Sequence, residues 1–215
     1  MDQQHILEQA RLAVQKKMGD DSSGHDWWHT YRVAETAKTI AAEEHADVFL
    51  CELTALLHDM ADEKLNDDPE QASRDLYAWM LNTGVELTAV DHVMDIISTM
   101  SFKGGNRPPV RTLEGKIVQD ADRLDAIGAM GIARVFAYSG WKGRPIHDPR
   151  MSPREQLTPE QYRNGNDTAI NHFYEKLLKL KDLMNTTTGR NMAAERHKFM
   201  ELYLDQFYAE WEGQR

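Results

Sequence analysis

Leu53-Thr-Ala-Leu-Leu57-His58-Asp59 closes an apolar helical run with two good metal ligands side by side. A soluble helix seldom ends its core stripe in this way. The run predicts a helix over about 47–60 that begins near Asp47 and carries the doublet to its far end. Two further candidate ligands stand at suggestive positions. His29 lies in His25-Asp-Trp-Trp-His29-Thr-Tyr-Arg-Val33, and Asp122 in Gln119-Asp-Ala-Asp122-Arg-Leu-Asp125. Two imidazoles and two carboxylates, spread over three predicted helices, suit one divalent cation with water completing its shell. Open coordination positions are what hydrolysis needs. Singly, each ligand has a blander reading: His29 as a satisfied core histidine, Asp59 as a helix end, Asp122 as a partner of Arg123 or Lys116. Together they point to a site.

Outward from this junction, almost every regular stretch has a helical period. Residues 2–18 carry Ile6, Leu7, Ala10, Leu12, Ala13 and Val14 and stop at Gly19. The capping-rich Asp20-Asp-Ser-Ser-Gly24 precedes a helix over about 26–44. Pro69 suits the first turn of a helix over 69–82, closed by Asn82-Thr-Gly84. Segments 86–100 and 110–137 are helical, the second broken near Gly128 or Gly131. Residues 138–166 hold Gly140, Gly143, Pro145, Pro149, Pro153, Pro159 and Gly165, with few periodic apolar positions. So long a loop is uncommon in a compact domain. Two amphipathic helices follow, about 167–183 and 190–212, separated by Asn185-Thr-Thr-Thr-Gly189. With no alternating strand pattern, the fold class expected is all-α. The expected organisation is a helical core over 1–139 with the metal site, a Gly/Pro-rich loop over 140–166, and C-terminal helices over 167–215 packing on that core as a helical hairpin.

Composition bounds the function. The chain has 215 residues and a formal net charge of −10, which argues against a nucleic-acid polymer as partner, since phosphate-backbone binders carry a clustered basic surface. A small polyanion remains open, because a few cations and a metal suffice in one pocket. No run approaches the roughly 20 apolar residues of a membrane span, and Met1-Asp-Gln-Gln-His-Ile lacks the layout of a signal peptide. The single Cys51, inside an apolar helix, fits a reducing cytoplasm and a buried structural role.

The ordered set of His29, then His58-Asp59, then Asp122 resembles the HD-domain metal-dependent phosphohydrolase superfamily. His29-Thr-Tyr-Arg-Val33 is similar to the family's first ligand segment, Leu56-Leu-His58-Asp59 to its signature doublet, and Ala121-Asp122-Arg-Leu to its closing aspartate. Within the superfamily the chain looks most like a bacterial nucleotide (pyro)phosphohydrolase-like group. That group is marked by His-Asp-Trp-x-His, by Asp-Ala-Asp-Arg-Leu-Asp-Ala-Ile-Gly, by Ser-Phe-Lys as in Ser101-Phe-Lys103, and by His-Phe-Tyr-Glu-Lys-Leu as in His172–Leu177. The similarity covers almost the whole chain, residues 140–166 least. It implies hydrolysis of nucleoside triphosphates to monophosphate and pyrophosphate with one divalent ion, Mn or Mg foremost, with Fe, Ni, Co or Zn also compatible.

Asp62 and Glu63 follow the doublet. If the helix continues, Asp59, Asp62 and Glu63 share a face, and one of the last two is placed to orient or deprotonate water. Guanosine-polyphosphate hydrolases of the superfamily carry Glu-Asp there, so the order Asp62-Glu63 leaves open which is the base; a solvated helix end is the plain alternative. For phosphate, the candidates are Lys64, Lys103 and Arg123, followed by Arg107, Arg144 and His25 one turn before His29. His92, near Asp91 and Asp95, is either a helper for a second metal or a plain helix histidine. Trp27-Trp28, Phe136-Tyr138 and the Phe199, Tyr203, Phe207, Trp211 series read as packing faces. Tyr138 and Trp141 border the long loop, where a nucleobase would stack. The expected partner is a small nucleotide or another phosphoester, with no membrane and with a homodimer left open. Cyclic nucleotide or guanosine polyphosphate hydrolysis and a non-catalytic nucleotide sensor are the alternatives.

Overall fold

A computed structural model describes residues 2–19, 26–62, 65–100, 110–154 and 167–215. Among them every regular element is helical and no strand occurs, as the 3.6-residue period predicts. No described helix is long and apolar enough to cross a membrane. The chain divides into two compact units, Met1–Asp122 and Arg123–Arg215.

In the first unit, α1 (Gln3–Met18), α2 (Trp27–Glu43), α3 (Val48–Leu57), α4 (Pro69–Asn82) and α5 (Leu87–Met100) precede α6 (Leu113–Asp125), which runs across the boundary. Helix α3 is the centre: every residue from Phe49 to Leu57 is buried. It packs on α2, α1 and α5, which explains a sequence apolar on all faces rather than on one stripe. The buried faces of those helices carry Val33, Ala37 and Ile40 of α2, Ile6, Ala10 and Val14 of α1, and Val90, Val93 and Ile96 of α5.

Carboxylate caps set the helix starts. Asp26, Asp47 and Asp68 accept the N–H groups of His29 (2.7 Å), Leu50 (2.9 Å) and Gln71 (2.9 Å), each satisfying an orphan donor of a first turn. Between α2 and α3, His45 takes the left-handed φ of 57° and Ala46 N–H donates to Ala41 O at 2.9 Å. That closure reverses the chain sharply.

In the second unit, α7 (Gly128–Trp141), α8 (Ala169–Glu175), a 3₁₀ helix (Leu177–Leu183) and α9 (Thr187–Trp211) surround Phe173, which is fully buried and stacked on Tyr203 with centroids 5.9 Å apart. Arg154 donates to Glu175 at 2.8 and 2.7 Å and lies 3.4 Å from Asp167, fastening the segment after α7 to α8.

Several boundaries differ from the sequence reading. The third helix stops at Leu57, not 60. The long segment 110–137 is two helices, and the break falls at Gly128, whose φ is +72°. A Cβ there would lie 2.9 Å from the Cβ and Cγ of Arg196, so both conformation and contact require glycine. Helix α7 runs on to Trp141, into the stretch read as loop, while residues 155–166 lie outside those described. The predicted helix over 167–183 turns into the 3₁₀ form at Lys176, and α9 begins at Thr187 rather than 190, capped by Thr186. The aromatics read as packing faces are less buried than expected: Trp28, Tyr138, Phe199 and Trp211 are all exposed.

Candidate metal centre

Helices α2, α3 and α6 bring the site together. Asp26 caps α2 through the His29 N–H and so sets His29 in the first turn, where its helix phase turns it inward with Val33 and Ala37. The side chain is 2% exposed. His58 follows the last residue of α3. Its Nδ1 lies 2.7 Å from Ala55 O, which fixes that nitrogen as the N–H donor and leaves Nε2 to the site. Asp59 stands in the turn that follows.

The ligand atoms converge. His58 Nε2 lies 3.3 Å and His29 Nε2 3.7 Å from Asp59 Oδ2, and one ligand atom from each of the three residues falls within 4.8 Å of the others. Asp122, on the last turn of α6, brings Oδ1 to 3.5 Å from His29 Nε2. The tight group is the two histidines and Asp59. Asp122 joins it through His29 and, with a side chain 43% exposed, forms its solvent-facing edge.

These residues fit a divalent cation. Ligand bonds of about 2.0–2.2 Å place neighbouring ligand atoms roughly 3–4 Å apart, the spacing already present. The donor set, two imidazole nitrogens and two carboxylates, is the mixed type that borderline and hard divalent ions accept. The electrostatics agree. Burial alone would lower the His58 pKa, but the charge and hydrogen bond of Asp59, with Asp122 and the Ala55 carbonyl, raise it to about 9. The carboxylates of Asp59 and Asp122 thus favour positive charge at His58.

The other sequence candidates fare differently. Asp62 follows Asp59 in a tight turn, its N–H donating to Asp59 O at 3.1 Å. Because α3 has already ended, the shared helical face expected after Asp59 does not extend to Asp62; a tight turn sets the relation of these two instead. Arg123 donates to the carbonyl of Leu183. His92 stands 3.7 Å from Glu114 of α6, not grouped with Asp91, which accepts from Tyr77 at 3.0 Å. Arg144 lies over the Tyr138 ring at 5.8 Å, and Lys142 over Trp141 at 4.4 Å. Glu63, Lys64, His25, Lys103 and Arg107 lie outside the described residues. Cys51 is buried, and burial, then the charges of Glu114 and Asp47, push its thiol up to about 12, which makes it an unreactive packing residue.

The residues that hold the C-terminal end of α6 carry no motif in the sequence. Arg196 of α9 donates to Leu124 O at 2.5 Å, and Arg134 to Asp125 Oδ2 at 2.5 Å. Together they satisfy the C-terminal end of α6 two and three residues after Asp122. The only hint was the run Leu124-Asp-Ala-Ile-Gly128, whose aspartate and glycine now have these partners.

The HD domain family model matches residues 27–127, a span that includes all four candidate ligands. The Bacillus subtilis protein YpgQ is 43% identical over 201 residues, covering 93% of this chain and 90% of its own. The crystal structure of YpgQ in complex with ADP matches with a TM-score of 0.78 at 41% identity, over 95% of this chain and 97% of that one. That of an HD-superfamily hydrolase from Bacillus thuringiensis gives 0.80 at 43% identity, over 98% of each. The chain belongs to the HD-domain superfamily of metal-dependent phosphohydrolases.

Proposed function

We propose that this enzyme cleaves nucleoside triphosphates to monophosphate and pyrophosphate, with His29, His58, Asp59 and Asp122 holding one Mn²⁺ or Mg²⁺ ion. The observation that carries the proposal is the convergence of two imidazoles and Asp59 within 4.8 Å, with Asp122 on the open edge. YpgQ has been crystallised with ADP, which supports a nucleotide as the ligand class here.

When bound, the cation lowers the pKa of water and polarises a phosphoryl oxygen. The protein supplies the rest. Asp62 or Glu63 orients the attacking water and takes its proton. Lys64, Lys103 and Arg123, with His25, offset phosphate charge as it grows in the transition state, where positioning and electrostatics supply most of the catalysis. Water oxygen bonds to the α-phosphorus, the bridge to the β-phosphorus breaks, and pyrophosphate leaves with the electron pair.

Hydrolysis in ¹⁸O-water by the Mn²⁺-loaded protein tests the proposal. The label is expected in the nucleoside monophosphate; label in pyrophosphate means that the same bridge is opened by attack at the β-phosphorus and overturns the α attack. Label found only in orthophosphate, with diphosphate as co-product, overturns the cleavage point. Turnover confined to cyclic nucleotides or guanosine polyphosphates overturns the substrate.

A further inference from the structure

The turn after His58-Asp59 is tied down by two residues that have no part in the ligand set. Lys17, in the last turn of α1, donates from Nζ to Met60 O at 2.8 Å and to Asn66 Oδ1 at 2.6 Å. Asn66 in turn donates from Nδ2 to Met60 O at 3.1 Å and to Asp62 O at 2.8 Å. The amide is used at both ends, its oxygen toward an ammonium and its nitrogen toward two carbonyls, which orients it uniquely. Burial pulls the Lys17 ammonium below the ordinary lysine value, with Asp75 acting against the shift.

The backbone beneath this knot is a chain of short turns: Met60 N–H to Leu57 O at 3.0 Å, Asp62 N–H to Asp59 O at 3.1 Å, Leu65 N–H to Asp62 O at 3.1 Å. Such turns hold poorly on their own. Lys17 and Asn66 grip the carbonyls of Met60 and Asp62, on either side of the step that leads to the Asp62 side chain. We propose that Lys17 and Asn66 are positioning residues that form a clamp on this turn and aim Asp62 at the attacking water. The clamp rests on the reading of Asp62 as the group that handles that water.

The full-length Mn²⁺-loaded protein carries the test, with N66A, K17M, D62N and the double variant N66A/D62N compared for kcat, KM, Mn²⁺ affinity and Tm. A shift of the order of 1 Å in a reacting group costs up to about 100-fold, so N66A and K17M should each lower kcat about 10- to 100-fold. Mn²⁺ affinity should stay within about threefold, because the ligands are untouched, and KM should change less than kcat. In the D62N background, N66A should cost nothing further. K17M grips the turn from α1 and serves if N66A fails to fold. Wild-type kcat in N66A and K17M, with D62N inactive, overturns the clamp alone, as does full additivity of N66A with D62N. Wild-type kcat in D62N overturns the role of Asp62, and the clamp's function with it. A fall in Tm with kcat unchanged at low temperature makes the knot structural and overturns the proposal.

Discussion

His172 sits in α8, where burial first, and then the Lys176 ammonium, push its imidazole down to about 3. The unfolded chain takes up that proton near 6.5. The stability tied to neutral His172 is therefore fully present above about pH 6.5 and is lost as pH falls toward 3, by up to about 1.4 kcal/mol per pH unit. Urea midpoints of H172Q between pH 7 and pH 5 should fall less steeply than those of the native chain; parallel curves would contradict the assignment. The sequence shows His172 only as part of a recognisable run, since burial is a property of the fold. At the metal centre the residue types themselves were legible. His29, His58, Asp59 and Asp122 carry their chemistry in their side chains, and their order along the chain was enough to group them. Lys17 and Asn66 were not legible, because nothing local joins residues 49 positions apart.

Helix ends were readable where the chain writes both of them. Helix α4 runs from Pro69 to Asn82 as expected because Asp68 and Pro69 start it and Gly84, at φ +90°, stops it. The end of α3 was not readable: Leu-His-Asp-Met-Ala contains no breaker, and the chain leaves the helix where a distant lysine at Met60 O and a local asparagine at Asp62 O hold a turn instead. The change to 3₁₀ geometry at Lys176 likewise has no glycine or proline behind it. The end of α6 shows the same dependence on distant residues. Arg196, 72 positions away, reaches Leu124 O with its stem laid against Gly128, and burial of the guanidinium lowers its pKa. A hydrogen bond from a charged donor contributes about 1.5–3 kcal/mol, and the stem adds apolar contact. R196A should therefore lose about 1.5–3 kcal/mol in urea unfolding. A loss below about 0.5 kcal/mol, ordinary for a surface change, would remove the arginine from that role.

At the scale of the molecule, an acidic chain with a charge of −10 gathers two imidazoles and two carboxylates on α2, the end of α3 and α6, within the span that matches the HD domain. The all-helical fold follows from the period of the sequence, and the buried α3 explains how a doublet at its end reaches the interior edge of a core. What the sequence left unset was the division into units at Asp122 and Arg123, which falls inside a helix and carries no linker composition. The central claim is that this convergence is a metal centre. Anomalous diffraction at the manganese edge, from crystals of the full chain soaked in Mn²⁺, tests it most directly. One peak is expected about 2.0–2.3 Å from ligand atoms of His29, His58, Asp59 and Asp122, and none in D59A crystals whose helical circular dichroism is unchanged. Manganese bound elsewhere, with those four side chains holding none, would contradict it.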